Sequence, residues 1–301
     1  MTIRHFLTLN DLSAEQLNGL IHRAIEQKQA WQQNRAEMTL PGRTLAMIFE
    51  KASTRTRVSF ETGMAQLGGH AIFLSPEDTQ LGRGETPEDT ARVLSRLVDA
   101  VMIRNHSQQV LERFARLSQV PVINGLTNRF HPCQLLADMQ TYVEHRGSIA
   151  GRTVAWVGDG NNMCNSYIHA AKLFGFCLCV SAPASYQPEA ELLAEHPAVV
   201  LASDPRDAVA GADLVVTDTW TSMGDDEDRQ ARLNAFSKYQ VNAALMALAA
   251  PDAVFMHCLP AHRGEEVTDE VMDGPQSLVW DEAGNRLHAQ KALLEHLIAQ
   301  T

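Results

Sequence analysis

Phe49-Glu50-Lys51-Ala52-Ser53-Thr54-Arg55-Thr56-Arg57, continued by Val58-Ser59-Phe60-Glu61, is the stretch on which the reading of this chain turns. Leu45 to Phe49, just before its middle, is an apolar run of strand length, and after it Phe60, Met64 and Leu67 recur at the spacing of one helix face. Ser53 to Arg57 therefore sit where a strand turns into a helix. At such a turn several backbone N–H groups lack intrahelical partners and the helix dipole favours negative charge, which is the physics of an anion site. Ser53, Thr54 and Thr56 add hydroxyl donors, and Arg55 and Arg57 add two fixed positive charges. A capped helix start with solvated arginines would use some of the same residue types. Two arginines among three hydroxyls point instead to a phosphate cradle.

The rest of the chain repeats the strand-to-helix pattern. Towards the N-terminus, Leu12, Leu17, Leu20 and Ile21 mark a helix that Ser13 caps with Gln16 three residues later. Ala71 to Leu74 reads as a strand, and Ser75 to Glu85 as a polar loop longer than a connection needs, hence a candidate functional loop. Thr86-Pro87-Glu88-Asp89 starts a helix with Ala91, Leu94 and Leu97 expected inward. Strands follow at Ala100–Ile103, ending at Arg104, and at Val120–Asn124. His131-Pro132-Cys133-Gln134 opens a helix with Pro132 in its first turn, and Arg146-Gly147-Ser148 closes it. The pattern then restarts. Strands are expected at Thr153–Val157, Cys177–Ser181, Val199–Ala202, Leu214–Thr217 and Val254–His257, and helices at 163–174, Arg206–Ala210, Asn234–Leu248 and Ala289–Ala299. The fold class this implies is α/β, two consecutive domains each with a parallel β-sheet flanked by helices. The boundary is placed after Arg146, giving domains 1–146 and 147–285.

Composition narrows the partners. The chain has 301 residues, 45% hydrophobic and 20% charged, with a formal net charge of −11. That size carries a real core in each of two domains, and the negative balance argues against nucleic acid or an anionic membrane as a partner. Met1 to Leu9 lacks the apolar segment of a signal peptide, and no run approaches membrane-spanning length. The five cysteines are odd in number and irregularly spaced, so free thiols in a reducing cytoplasm are expected, with no zinc site and no other metal. Gly158-Asp159-Gly160-Asn161-Asn162-Met163 follows a strand like a dinucleotide-binding turn. Met163 replaces the third glycine, however, and the next strand ends at Ser181 rather than at an acid for a ribose. Two amides at a strand end suit a zwitterionic ligand better.

Other chemistry-bearing residues also cluster at strand ends: Arg104, Asp218 with Ser222-Met223-Gly224 beyond it, and Cys258 with Leu259-Pro260. Ligands of open parallel sheets bind outside the carboxyl ends of the strands, so these can share a cleft. His257 and Cys258, as strand neighbours, are expected to point to opposite faces and to form no nucleophilic dyad.

Taken together, Ser53-Thr54-Arg55-Thr56-Arg57, His131-Pro132-Cys133-Gln134, Asp218-Thr219-Trp220-Thr221-Ser222-Met223-Gly224 and His257-Cys258-Leu259-Pro260-Ala261-His262-Arg263-Gly264-Glu265-Glu266 resemble the aspartate/ornithine carbamoyltransferase family. The last two motifs are similar to its ornithine branch, of the anabolic bacterial type. Cys133 departs from several relatives, which carry threonine there. The resemblance implies a carbamoyl phosphate-binding first domain, onto which a helix at 286–301 packs back, and an ornithine-binding second domain. By the same resemblance Ser53, Thr54, Arg55, Thr56, Gln80, Arg104, His131, Pro132, Cys133, Gln134, Cys258, Leu259 and Arg286 bind carbamoyl phosphate. Asn162, Asp218, Ser222 and Met223 bind ornithine, and Arg104, His131, Asp218 and Cys258 carry catalysis. It further implies a cytoplasmic homotrimer with active sites at subunit interfaces, a possible higher assembly, no cofactor, and a role in arginine biosynthesis. Putrescine or N-acetylornithine as acceptor, and a sensor that binds without turnover, are the competing readings; Asp218 and the Ser-Met-Gly loop speak against the first two, and the full set of catalytic groups against the third.

Overall fold

The computed structural model describes residues 4–77, 84–221 and 229–299. The chain forms two units. Residues 1–140 with 284–301 make the first, and residues 141–283 the second. The breaks fall inside two long helices, Pro132–Arg146 and Val279–Ile298, rather than at the Gly147 turn.

In chain order the first unit's elements are α1 (Ala14–Gln32), β1 (Thr44–Phe49), α2 (Thr54–Gln66), β2 (His70–Leu74), α3 (Pro87–Leu94), β3 (Ala100–Arg104), α4 (Gln108–Leu117), β4 (Val122–Leu126) and α5 (Pro132–Arg146). The sheet order is β2-β1-β3-β4, and every strand pair is parallel. The chain runs from β1 to β2 on one side and returns to β3 on the other. The point where strand order reverses, at the carboxyl ends of β1 and β3, is where such sheets bind ligands. Register puts Phe49 beside Arg104 there, and the Glu50 N–H donates to the Arg104 carbonyl at 2.8 Å. Phe60, Met64 and Leu67 are all buried, as the spacing predicts. Ser13 and Gln16 close a reciprocal cap on α1.

The second unit continues with β5 (Thr153–Val157), α6 (Asn162–Phe174), β6 (Cys177–Ser181), α7 (Ala190–Ala194), β7 (Val199–Leu201), α8 (Pro205–Val209), β8 (Leu214–Thr217), α9 (Arg229–Phe236), α10 (Ala243–Met246), β9 (Val254–His257), α11 (Asp269–Met272) and α12 (Val279–Ile298), the last returning to the first unit. Its order, β7-β6-β5-β8-β9, is again wholly parallel. Here the reversal lies between β5 and β8, the strands followed by Gly158–Asn161 and by Asp218. Two switch points therefore arise from one topological device used twice.

Three local expectations change. Leu97 is 70% exposed, because α3 ends at Leu94 and tight turns over 95–98 rotate it off the buried face. The helix expected over 234–248 is two helices. Val241 bridges Val267, with its N–H on the Glu266 carbonyl at 2.8 Å, and this extended segment breaks the helix before Asn242 caps α10. Helix α4, capped by Ser107 with Leu111, Phe114 and Ala115 buried, was not anticipated. Helix α12 lies on α1 and α2 in the first unit. Glu295 receives Arg23 at 2.9 Å, Lys291 donates to Gln66 at 3.0 Å, and a side chain at Gly63 would sit 3.3 Å from the Lys291 stem. No helix among the described residues is long and apolar enough to cross a membrane.

Candidate active site

The first unit's switch point is a cluster of cations around one hydroxyl. Ser53 caps α2, its Oγ accepting the Thr56 N–H at 3.3 Å and donating to Thr56 Oγ1 at 3.1 Å. Thr54 is the first residue of α2 and exposed, and Arg55 is half-buried beside it. Thr56 is fully buried, and Arg286 Nη2 donates to its Oγ1 at 3.2 Å while Arg104 Nη1 approaches at 3.5 Å.

Arg286 comes from α12, far along the chain, and is almost wholly buried. It donates from Nη1 to Gln134 Oε1 at 2.6 Å, and Gln134 Nε2 donates to Asp138 Oδ1 at 2.9 Å. With its amide turned to satisfy both neighbours, Gln290 accepts from Arg286 Nη2 at 3.0 Å and Nε at 3.2 Å and donates to Ser59 Oγ. Burying a guanidinium is tolerable only with this degree of pairing. Gln290, Ser59 and Asp138 are supports that sequence reading missed; the polar Gln290 one turn after Arg286, in a helix with a buried face, was the available signal.

His131 is buried before the first turn of α5, and burial, then the charges of Arg286, Arg104 and Arg55, push its pKa well down. Its imidazole is neutral at physiological pH and can donate a hydrogen bond without charge. Pro132 is buried at the first position of α5. Cys133 is buried too; its thiol donates to the Asn124 carbonyl at 3.3 Å and is pushed up to about 12, chiefly by burial. It packs rather than reacts. Arg57 is not part of the cluster. It pairs with Glu61 at 2.9 Å one helical turn on and lies over the Phe73 ring at 3.8 Å.

The second unit's switch point is built on a carboxylate. Asp218, just after β8, accepts from Asn161 Nδ2 at 2.8 Å on one oxygen, and from the Thr219 N–H at 2.8 Å and the Cys258 thiol at 3.2 Å on the other. Asn161 also caps α6, accepting the Met163 and Cys164 N–H groups at 2.9 and 3.1 Å. It thus ties the β5 turn to Asp218, a role not read from the sequence, although the paired amides drew attention. Asn162 follows as the first residue of α6, half-buried. A side chain at Gly160 would lie 2.3 Å from the Pro188 nitrogen, and the Gly160 N–H donates to the Tyr186 carbonyl. The close approach that a dinucleotide turn reserves for pyrophosphate is here made by the chain's own backbone.

His257 and Cys258 do not diverge as strand neighbours would, because β9 ends at His257. Ligating atoms of Asp218, His257 and Cys258 lie within 4.8 Å of one another. Both imidazole nitrogens are nonetheless engaged elsewhere, Nδ1 by the Leu259 N–H at 2.9 Å and Nε2 by Glu266 at 3.1 Å. His257 therefore has no lone pair for the thiol, and these three groups are bonded to protein partners rather than arranged round a cation. Gln80, Ser222 and Met223 lie outside the described residues.

Guanidinium groups gathered at one switch point, and a carboxylate with a thiol at the other, are the chemistry a group-transfer protein would need for an anionic donor and a cationic acceptor. Comparison with known proteins gives the class its family. The profile described as Aspartate/ornithine carbamoyltransferase, carbamoyl-P binding domain matches residues 4–144, and that described as Aspartate/ornithine carbamoyltransferase, Asp/Orn binding domain matches residues 150–297. The Methylococcus capsulatus ornithine carbamoyltransferase is 64% identical over 299 residues, covering 99% of each chain. One from Pseudomonas aeruginosa, named anabolic, is 60% identical over 299 residues, covering 99% of this chain and 98% of its own. The solved ornithine carbamoyltransferase of Pyrococcus furiosus superposes with a TM-score of 0.95 at 47% identity, covering 99% of this chain and 98% of that one. The chain belongs to the aspartate/ornithine carbamoyltransferase family.

Proposed function

We infer that the protein transfers the carbamoyl group of carbamoyl phosphate to the side-chain amine of L-ornithine, giving L-citrulline and phosphate. The observation that carries the reading is the convergence of Arg104 and Arg286 on the Thr56 hydroxyl, beside an imidazole kept neutral. A dianionic phosphate needs fixed positive charge and N–H donors. The attacked carbonyl needs donors aimed where charge will develop. In our reading Ser53, Thr54, Arg55 and Thr56 take the phosphate, joined by Gln80. Arg104, His131 and Thr56 hold the carbonyl oxygen. Gln134, Arg286 and the Cys258–Leu259 backbone orient the carbamoyl amine, with Pro132 and Cys133 shaping the wall.

Asn162, Asp218, Ser222 and Met223 hold ornithine. Its side-chain amine, with a reference pKa near ~10.4 by analogy with lysine, arrives protonated and cannot attack. The Asp218 carboxylate and Cys258 thiol receive that ammonium group. Once the ammonium group gives one proton to solvent, the nitrogen lone pair forms the new C–N bond and the carbonyl becomes an oxyanion; its collapse breaks the C–O bond to phosphate, which takes the second amine proton as it leaves. Phosphate is a good leaving group, so the chemistry calls for no cofactor.

The domain roles follow in the same reading, carbamoyl phosphate on the first unit and ornithine on the second. We place the protein in the cytoplasm and in arginine biosynthesis, on its 60% identity to the relative named anabolic. We also propose a homotrimer, in which a second copy covers Val58 of α2 and Ile72 of the edge strand β2, 54% and 39% exposed in the single chain. Light scattering should return three times 33.2 kDa.

Citrulline formation from carbamoyl phosphate, with ornithine, putrescine and N-acetylornithine compared side by side, tests the function. Ornithine should be preferred by orders of magnitude; preference for either competitor overturns the reading.

A further inference from the structure

The second unit holds a buried imidazole–carboxylate pair that the mechanism above does not use. His257 and Glu266 are both fully buried, with Nε2 and Oε1 3.1 Å apart. The same Glu266 oxygen accepts the His262 N–H at 2.6 Å, and the Glu266 backbone carbonyl accepts the Val241 N–H at 2.8 Å. Imidazole Nδ1 accepts the Leu259 N–H at 2.9 Å, and the His257 N–H is held by Glu282 at 2.9 Å.

Those contacts fix the proton. A nitrogen that accepts a backbone N–H carries no hydrogen of its own, so Nδ1 is bare and the ring proton sits on Nε2, pointing at a carboxylate. The opposite tautomer would set an N–H against the Leu259 N–H and a lone pair against Glu266. A carboxylate that selects a tautomer in this way does for a protein donor what second-layer carboxylates do for metal-bound histidines.

What the fixed tautomer holds is strained. Leu259 has φ of 59°, the left-handed region that branched, bulky residues avoid. Its N–H donates to Nδ1 at 2.9 Å, a bond that Nδ1 can accept only in the Nε2–H tautomer. Cys258, the residue between, directs its thiol to Asp218 at 3.2 Å. We propose that Glu266 and His257 are positioning residues, a carboxylate–imidazole relay without proton transfer that holds the Cys258–Leu259 turn in its reactive geometry. This deepens the function proposed above and rests on it. Neither side chain touches substrate; each acts through the turn.

The decisive comparison uses three forms of the full-length protein. Glu266→Gln keeps an acceptor for both Nε2–H and the His262 N–H and should hold kcat within about threefold of wild type. Glu266→Leu frees the ring to take the other tautomer and should lower kcat at least tenfold in a chain whose circular dichroism is unchanged. In Glu266→Leu combined with His257→Asn, the asparagine Oδ1 stands where Nδ1 stood and accepts the Leu259 N–H without needing a carboxylate. This double variant should recover at least threefold of the lost kcat. A purely structural role predicts the reverse, with the second change adding damage, and that outcome overturns the proposal. Should the leucine variants not fold, nitrogen-15 histidine NMR of the wild type decides instead, with the His257 signal assigned through His257→Asn. An Nε2–H ring supports the relay, and an Nδ1–H or doubly protonated ring refutes it. Because the tautomer is read without substrate, its failure is separable from failure of wild type to make citrulline, which would sink the functional reading alone.

Discussion

The two switch points solve opposite problems with opposite means. The first gathers charge with long side chains. Arg104 from a strand end and Arg286 from α12 reach one buried threonine hydroxyl, and a glutamine at each side of Arg286 completes its hydrogen bonds. The second uses short side chains at strand and helix ends, where Asp218 is held by a cap residue, a backbone N–H and a thiol. A dianion can be captured by several diffuse cations whose positions tolerate small errors. A single ammonium group needs one carboxylate in one place, and short side chains lose less freedom when fixed. The difference teaches where each half should be fragile: the first to loss of charge, the second to loss of a bond that orients.

The largest effect expected is at the charge-gathering half. In the proposed reaction Arg104→Ala removes a donor to the developing oxyanion and should lower kcat by about 10²–10³-fold, measured as citrulline formed at saturating substrates. A loss below tenfold would mean Arg104 only shapes the site. Arg55→Ala comes next. It should weaken carbamoyl phosphate binding by about 2–3 kcal/mol, the scale of lost charge-assisted hydrogen bonds. Arg57→Ala is the internal control, because its partners are Glu61 and the Phe73 ring. Calorimetry should find it within about 0.5 kcal/mol of wild type. Equal losses from both arginines would erase the distinction between them.

How far the halves could be read from the chain follows from how local each is. Ser53, Thr56 and the β1–α2 turn were legible, because a cap, a strand and a helix face lie within one short window. The two arginines of that window are harder to tell apart for the same reason. Sequence shows that two arginines are near the turn, but not which of them the helix carries round to Glu61. Arg286 entered only through resemblance, since nothing in its own neighbourhood announces contact with Thr56. The relay of Glu266, His257 and Leu259 was invisible, although every residue lies within one motif. Whether an imidazole faces its neighbour's backbone or its neighbour's thiol is set by where β9 stops. The split of the expected 234–248 helix has the same origin, a lone bridge from Val241 to Val267 that outweighs helical periodicity.

The cationic half should also mark itself by pH. His131 has its pKa depressed in the folded state by burial and three arginines. A depressed histidine contributes stability that is fully present above its unfolded pKa of about 6.5 and lost as pH falls below it, because the unfolded chain then binds a proton that the folded chain refuses. Urea unfolding followed from pH 7.5 to 5.5 should show stability declining by up to about 1.4 kcal/mol per pH unit from this group at the acid end. His131→Gln should flatten that decline. An unchanged slope in the variant would assign the acid sensitivity to other groups.

The smallest effect tests the orienting half. Asn161 makes three bonds, two to α6 N–H groups and one to Asp218. Asn161→Ala should cost about 1 kcal/mol of stability, the usual value of a helix cap. The third bond makes a separate prediction. With Asn161 Nδ2 gone, one Asp218 oxygen loses its fixed donor while the other keeps the Thr219 N–H and the Cys258 thiol. The carboxylate can then rotate, and the ornithine ammonium meets a less ordered partner. KM for ornithine should rise about fivefold to tenfold, roughly one neutral hydrogen bond's worth, while KM for carbamoyl phosphate stays within a factor of two. Asn161→Asp separates the two roles. It preserves the cap, since aspartate caps as well as asparagine, but sets a second carboxylate 2.8 Å from the first. Repulsion should swing Asp218 away, so the helix survives while ornithine binding suffers more than in Asn161→Ala. If the two variants change ornithine KM equally, or if KM for carbamoyl phosphate moves in step with it, then Asn161 serves the fold alone, and the second switch point is not an orienting device.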